Sequence, residues 1–183
     1  MSDRLLDQAR IIELLTELGR RLDVRGVRAE LFVVGGTAMA LAYNTRRTTV
    51  DIAAVFEPKQ SVLDAARQLA DEHDLPEDWL NDGVKGLLPG GEVDAREILE
   101  RPGSSVSVPS TRYLLALKVA AARIDRDADD IRVLADRLGL DTAAEVLAVT
   151  EQVMARRPDR LTPKVRFLVE ELFAGPLLPV DPA

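Results

Sequence analysis

The sequence predicts an α/β (α+β) fold in which an α/β half is followed by a wholly helical half. Residues 31–56 combine a buried apolar run, the pair Gly35-Gly36, a short helical pattern and a second apolar run that carries Asp51. That order is typical of a β-turn-α-β unit. Beyond residue 108 the apolar residues have helical spacing throughout, and hydrophobic residues make up 46% of the 183 residues, ample for a packed core.

The first half is predicted to alternate helices and strands. Apolar residues recur every three or four positions in 3–24 and 60–73, which predicts amphipathic helices. Gly26 is expected to end the first of these, and Pro58 to end a strand, because proline cannot donate a ladder hydrogen bond. The remaining predicted elements are strands at 30–34 and 50–56, one or two helical turns at 37–43, and a turn at 44–47.

The second half is predicted to be helical after an irregular middle. Trp79, the only tryptophan, is expected to anchor the glycine- and proline-containing segment 75–91 to the core. Short strands are expected at 92–94 and 105–108. Ser110, Asp127 and Thr162 are predicted helix N-caps. The predicted helices are 111–125, 127–138, one from beyond Asp141 to 156, and 163–173. The predicted domains are an α/β core at 1–108, a helical domain at 109–175 and a tail at 176–183.

Composition excludes several classes of function. With 24 basic and 31 acidic residues the formal charge is -7, so any RNA binding requires a local basic patch. Cysteine is absent, which excludes disulfides, thiol nucleophiles and cysteine-based metal sites, and His73 is the single histidine. No apolar run approaches the roughly 20 residues that span a bilayer, and residues 1–10 carry charges. A cytoplasmic protein without membrane contact is therefore expected.

The strand around Asp51 carries the chemistry. Side chains alternate faces along a strand, so Asp51, Ala53 and Val55 are expected to share one side. Two carboxylates spaced D-x-D would point the same way and share Mg²⁺, which prefers oxygen ligands and bridges substrate phosphates. Here the second position is Ala53. The glycines before the helical turns would let backbone N–H groups approach an anion.

Several segments together resemble a known superfamily. G-G-T-A at 35–38 and R-T-T-V-D-I at 47–52 look like the first motif of the nucleotidyltransferase (polymerase-β-like) superfamily. Residues 113–123 and R-D-A-D-D-I at 126–131 are similar to the helical motifs of its minimal bacterial branch, which includes toxins of the AbiEii and MenT type. Residues 78–82, D-W-L-N-D, also resemble a segment of uncharacterised members. The resemblance covers roughly residues 28–140.

The resemblance implies a short mixed sheet flanked by helices, a C-terminal helical bundle, and a role for each matching residue. Residues that offer a backbone N–H, a hydroxyl or a positive charge are expected to bind the nucleoside triphosphate: Gly35, Gly36, Thr37, Arg47, Lys118 and Arg126. Asp51 is expected to be the Mg²⁺ ligand, and Asp130 to complete the helical side of the catalytic site with Lys118. The implied reaction transfers a nucleotidyl group to a hydroxyl, at the 3′ end of tRNA in the toxins.

Ala53 departs from the D-I-D of the family. Without the second carboxylate, Mg²⁺ binding is expected to be impaired and transfer to be weak or absent. Two origins are open, a natural decay into a binding protein or a deliberate substitution that makes the protein harmless enough to express. The intact remaining motif positions favour the second.

Each site residue also has a structural interpretation. The glycines could serve only a tight β-to-α turn, Asp51 only a solvated strand face, and Lys118 only as a surface lysine with a buried stem. Asp127 and Asp130 have the spacing of helix-capping residues. Glu92 and Asp94 would share a strand face and could supply a further metal carboxylate.

Two function classes remain open from the sequence. The first is a nucleotidyltransferase toxin that acts on tRNA and has a cognate antitoxin protein. The second is a non-catalytic module that binds a nucleotide or another protein. Within the enzyme class, a protein or small-molecule hydroxyl is an alternative acceptor, because the acidic composition does not favour tRNA.

Overall fold

The computed structural model of the chain describes residues 5–43, 48–121 and 123–174. Within them the predicted α/β (α+β) class is confirmed: seven α-helices accompany a five-stranded mixed sheet. The predicted turn at 44–47 and tail at 176–183 lie outside these residues. Two compact units form, an α/β unit that runs to Leu88 and resumes over Glu92–Ser110, and a helical unit that takes Pro89–Gly91 and continues from Thr111.

The α/β unit is built on strands in the order β3-β2-β1-β5-β4. β1 pairs antiparallel with β2 and parallel with β5, while β3 runs parallel to β2 and β4 antiparallel to β5. α1 packs against α3 and β5, and α2 packs against β2. The elements of this unit are α1 Gln8–Val24, β1 Ala29–Val33, α2 Gly35–Tyr43, β2 Ile52–Glu57, α3 Lys59–His73, β3 Leu80–Asn81, β4 Arg96–Arg101 and β5 Ser104–Val108.

The core of the α/β unit follows the predicted periodicity. One face of β2 is buried and the opposite face is half-buried, as the alternation along 50–56 predicted. The core lies between the buried face of α1 and the inward-facing side chains of the sheet. The buried residues include Leu14, Leu18, Leu22, Leu31, Val33, Ile52, Ala54, Val62 and Leu69.

The first helix begins later than the predicted residue 3. Leu6 forms an isolated antiparallel bridge with Thr49, and the two residues exchange backbone hydrogen bonds of 2.7 and 2.9 Å. Asp7 then caps the helix, because its carboxylate accepts from the Arg10 backbone N–H at 2.8 Å. Leu6 therefore serves a strand-like contact and not the apolar face of α1.

Three strands differ from the prediction. β2 begins at Ile52 and not at residue 50, so Asp51 lies in a bend just before the strand. Residues 92–94 form no strand, whereas Arg96–Arg101 forms β4 at the edge of the sheet. β4 is largely exposed and charged, a composition that protects sheet edges but hides the alternation by which strands are recognised. Leu80–Asn81 forms β3, which at two residues is too short to show any period.

The helical unit contains α4 Thr111–Ala120, α5 Ile124–Arg137, α6 Ala143–Val153 and α7 Pro163–Phe173. The predicted break at Asp127 is wrong. α4 ends at Ala120, and α5 already starts at Ile124 with Arg123 at the N-cap, so Asp127 lies inside the helix. Thr162 caps α7 as predicted, and Thr142 with Glu145 forms a capping box at the start of α6.

α4 packs against the other three helices of the unit. The buried residues of the unit include Leu114, Leu115, Ile131, Leu134, Val146, Met154, Val165 and Val169. Among the residues that the structure describes, no helix is both long and apolar enough to cross a membrane.

Candidate functional site

The glycine pair lies where β1 passes into α2. Gly35 is the first residue of the helix and has a φ of +67°, a backbone angle that a side chain would strain. A Cβ added at Gly35 would meet no atom within 4 Å, so the angle and not a neighbour requires glycine. At Gly36 an added Cβ would lie 3.4 Å from the Thr49 hydroxyl. The predicted tight turn is therefore present, with open space beside Gly35.

Thr37 and Thr49 both act on the backbone of Asp51. The hydroxyls of both residues donate to the Asp51 carbonyl at 3.0 Å, and Thr37 is 1% exposed. Thr37 thus ties the start of α2 to the residue that precedes β2. The structure places this hydroxyl against the protein backbone, whereas the resemblance implied a contact with triphosphate.

Asp51 immediately precedes β2 and is half-buried. Its Oδ2 accepts a hydrogen bond of 2.8 Å from the Asn81 side-chain amide. The backbone is fixed on the same side, because the Ile52 N–H donates to the Trp79 carbonyl at 2.6 Å. Asp51 is therefore half-buried and has a side-chain partner, while its role as a metal ligand stays a prediction.

Trp79 anchors the segment that carries Asn81, as predicted. It is 0% exposed, and its indole N–H donates to the Ala66 carbonyl of α3 at 3.0 Å. Beside Asn81, the Lys59 ammonium bonds to Asp82 and holds the pKa of that carboxyl below its usual range. Asn81 was not among the site residues that the sequence indicated. Only the D-W-L-N-D segment marked it.

Asp51 precedes β2, and Ala53 lies on the half-buried face of the strand. It pairs in register with Asn81 of β3, and its carbonyl accepts from the Val34 N–H at 3.0 Å, next to the glycine pair. A carboxylate at position 53 would consequently lie beside Asp51, as the D-x-D spacing requires. With Ala53 the face offers one carboxylate and one amide.

These residues suit a cation that arrives already bound to phosphate. Mg²⁺ is usually held by one or two carboxylates together with substrate phosphates, and Asp51 would supply one such carboxylate. Within the described ranges, no three histidine or carboxylate side chains gather closely enough to form an all-protein metal site. When bound, the ion would neutralise phosphate charge, while the protein's part is to hold the Asp51 carboxylate in place.

Lys118 and Asp130 are brought together in the helical unit by a buried ion-pair cluster. The Lys118 Nζ lies 2.6 Å from Asp127 Oδ1 and 2.8 Å from Asp130 Oδ2. Lys118 is 7% exposed and Asp130 1%. The interpretations of Lys118 as a surface lysine and of both aspartates as capping residues are therefore wrong. The ammonium is already offset by two carboxylates.

Four predicted residues remain, Arg47, Arg126, Glu92 and Asp94. Arg126 is exposed on α5, and Arg47 lies outside the described residues. Glu92 and Asp94 lie in no strand, so the predicted shared face is wrong. The Glu92 carboxylate instead accepts from the Ser110 N–H at 3.1 Å and hydroxyl at 3.0 Å, just before α4.

Comparison with known proteins gives no functional assignment, so the site residues described above are its basis. No family model, curated protein or solved structure matches the chain.

Proposed function

We propose that the chain is a nucleotidyltransferase-type protein that binds a nucleoside triphosphate with Mg²⁺ and is built to transfer its nucleotidyl group to the 3′ end of tRNA, as a toxin with a cognate antitoxin. One observation carries the proposal. Thr37 of α2 donates to the Asp51 carbonyl and the Val34 N–H donates to the Ala53 carbonyl, so Asp51 and position 53 both lie beside the turn that contains the glycine pair. Transfer would be weak or absent in this chain, since position 53 holds no carboxylate.

The chemistry explains why this placement matters. The tRNA hydroxyl oxygen forms a bond to the α-phosphorus while the bond from that phosphorus to the bridging oxygen breaks, and pyrophosphate leaves with the electron pair. The hydroxyl proton passes to a base, for which a carboxylate at position 53 would be a candidate. Positioning and charge stabilisation supply most of the catalysis in phosphoryl transfer.

A basic segment supports tRNA as the acceptor. Between 156 and 166 five basic residues accompany one acidic residue, Asp159, in a chain whose formal charge is -7. Arg156 and Lys164 are exposed, while Arg157 and Arg166 have carboxylate partners. Such a segment supports the proposal, because RNA binding by an acidic chain requires local positive charge.

The decisive experiment restores the carboxylate. Ala53→Asp is incubated with each labelled triphosphate, Mg²⁺ and total tRNA, next to the unaltered chain. We expect label in tRNA only with Ala53→Asp, and slower growth of bacteria that express it. Val55→Asp adds the same charge to the same face two residues along and is the matched control. Asp51→Asn in the restored protein should abolish transfer.

The same experiment separates the alternatives. Label in protein or in small molecules, with none in tRNA, would move the acceptor to another hydroxyl. Triphosphate binding without transfer by Ala53→Asp would support a non-catalytic binding module, an outcome consistent with the single carboxylate of the unaltered chain. Absence of both binding and transfer would overturn the nucleotidyltransferase proposal.

A further inference from the structure

We propose that Asn81 is a positioning residue of the Asp51 site. Its place on β3 is also one from which a second metal ligand could reach that site, as a carboxylate at position 53 would. Its amide Nδ2 lies 2.8 Å from Asp51 Oδ2, and its backbone pairs in register with Ala53. This inference rests on the proposed function, because it assigns a role within that same site.

The Asn81 side chain is itself held on both ends. Its Nδ2 also donates to the Asp78 carbonyl at 3.2 Å, and its Oδ1 accepts from the Gly83 N–H at 3.2 Å. A carbonyl acceptor and an N–H donor on opposite ends of the amide determine which atom is nitrogen and which is oxygen. With Trp79 buried two residues earlier, the amide is aimed at Asp51 by a rigid support.

The contact has the length of an ordinary hydrogen bond, and an aspartate at position 81 would place two oxygens at about the spacing of neighbouring Mg²⁺ ligands. Neighbouring ligands of octahedral Mg²⁺ are about 3 Å apart, since each Mg–O distance is about 2.0–2.1 Å. Asn81 Nδ2 and Asp51 Oδ2 stand at 2.8 Å. In the unaltered chain Asn81 Nδ2 donates a hydrogen bond to the Asp51 carboxylate and steadies it. With an aspartate in its place both atoms would be acceptors, which repel unless a cation or a proton lies between them.

The first test therefore converts the amide to an acid. Asn81→Asp is expected to lower the thermal midpoint without divalent ions and to raise it progressively with added MgCl₂, because a ligand that binds only the folded state stabilises it. Gln60→Glu is the matched control, since Gln60 Nε2 donates to Asp64 Oδ1 at the same 2.8 Å on the exposed surface of α3. This control and the unaltered chain should show no Mg²⁺-dependent rise.

The double variant Asn81→Asp/Asp51→Asn assigns the response to the pair. It should lose the Mg²⁺-dependent rise, whereas a merely structural effect of residue 81 would leave the rise in place. No rise in Asn81→Asp, or an equal rise in Gln60→Glu, would overturn the proposed geometry.

The second test measures positioning by Asn81 itself. Mn²⁺, followed by electron paramagnetic resonance, probes the site in Ala53→Asp with and without Asn81→Leu, a change of similar size that removes the donor. Loss of a residue that orients a ligand typically weakens metal binding by about 10–100-fold, and this range is expected here. Circular dichroism checks that both proteins fold. Equal Mn²⁺ affinity in the two, or no Mn²⁺ binding in either, would overturn the assignment.

Neither test uses a triphosphate or tRNA, so its failure is distinguishable from failure of the proposed function. Cation binding through Asp51 without nucleotidyl transfer would overturn the proposed reaction and support the role of the Asn81–Asp51 pair. If Ala53→Asp transfers the nucleotidyl group equally well with and without a substitution at residue 81, the proposed reaction is supported and the role of Asn81 in the site is overturned.

Discussion

Lys118 shows how a single residue acquires its meaning from distant partners. A lysine in an otherwise apolar stretch of α4 marked a site residue in the sequence. Its two ion-pair partners, Asp127 and Asp130, lie on α5, and no local pattern indicates a pair across the break between the helices. Burying charges costs free energy that the ion pairs offset only when all partners are present.

Replacement of Lys118 should consequently be costly. Lys118→Met leaves two carboxylates buried without their cation, and the free energy of unfolding is expected to fall by about 3–5 kcal/mol, measured by urea denaturation. The control is Lys59→Met, which breaks the exposed pair with Asp82 and should cost at most about 1 kcal/mol. Equal effects of the two substitutions would refute a structural role for the cluster.

At the scale of elements, α1 and the turn between β4 and β5 approach each other unusually closely. Gly103 has a φ of +79°, and an added Cβ would lie 2.2 Å from the Gly19 carbonyl oxygen. A Cβ at Gly19 would in turn lie 2.4 Å from the Ser104 hydroxyl. Gly19 in a helix interior therefore marks a close approach of two elements. The sequence alone left this approach unassigned, because charged β4 concealed the hairpin.

This close approach predicts a coupled pair of substitutions. Gly19→Ala should destabilise the protein by about 1–3 kcal/mol through overpacking, despite the better helix propensity of alanine. Ser104→Ala removes the clashing hydroxyl, which is buried and has no hydrogen-bond partner among the described residues. The double variant should recover most of the stability, as a double-mutant cycle in urea would show. Strictly additive effects would contradict the packing of Gly19 on Ser104, and Gly86→Ala, where an added Cβ meets nothing, serves as control.

At the scale of the whole molecule, charge is unevenly distributed. The formal charge is -7, yet residues 156–166 are basic. Phosphate contacts release counterions, so affinity for RNA depends on salt in proportion to the number of phosphates bound. The net charge of the chain argues against RNA binding, whereas the basic segment 156–166 favours RNA binding.

The basic segment can be tested by salt dependence. Arg156→Gln/Lys164→Gln should reduce the slope of log affinity for tRNA against log salt by about 0.7–0.9 for each phosphate that the variant no longer binds, measured by fluorescence anisotropy. Arg67→Gln/Lys85→Gln removes the same charge from exposed positions of the α/β unit and should leave the slope unchanged. An equal reduction in both variants would indicate attraction by net charge alone.

The sequence by itself determined the features that depend on neighbours in the chain. These are the fold class, the bounds of α7, the buried anchor Trp79 and the alternation of buried and half-buried residues along β2. Periodicity, capping residues and proline act within a few residues, so they are legible without a structure. The predicted cap at Asp127 is wrong because α5 already starts at Ile124, and Asp127, inside the helix, pairs with Lys118 of α4.

The tertiary structure alone decided which side chains meet. The hydrogen bond from Asn81 to Asp51 joins residues 30 positions apart, and the Lys118 cluster joins two helices. Such contacts depend on strand order and helix packing, which bring together segments that share no pattern. For this reason the sequence indicated Asp51 and the missing carboxylate at position 53, while the structure shows that Asn81 donates a hydrogen bond to Asp51.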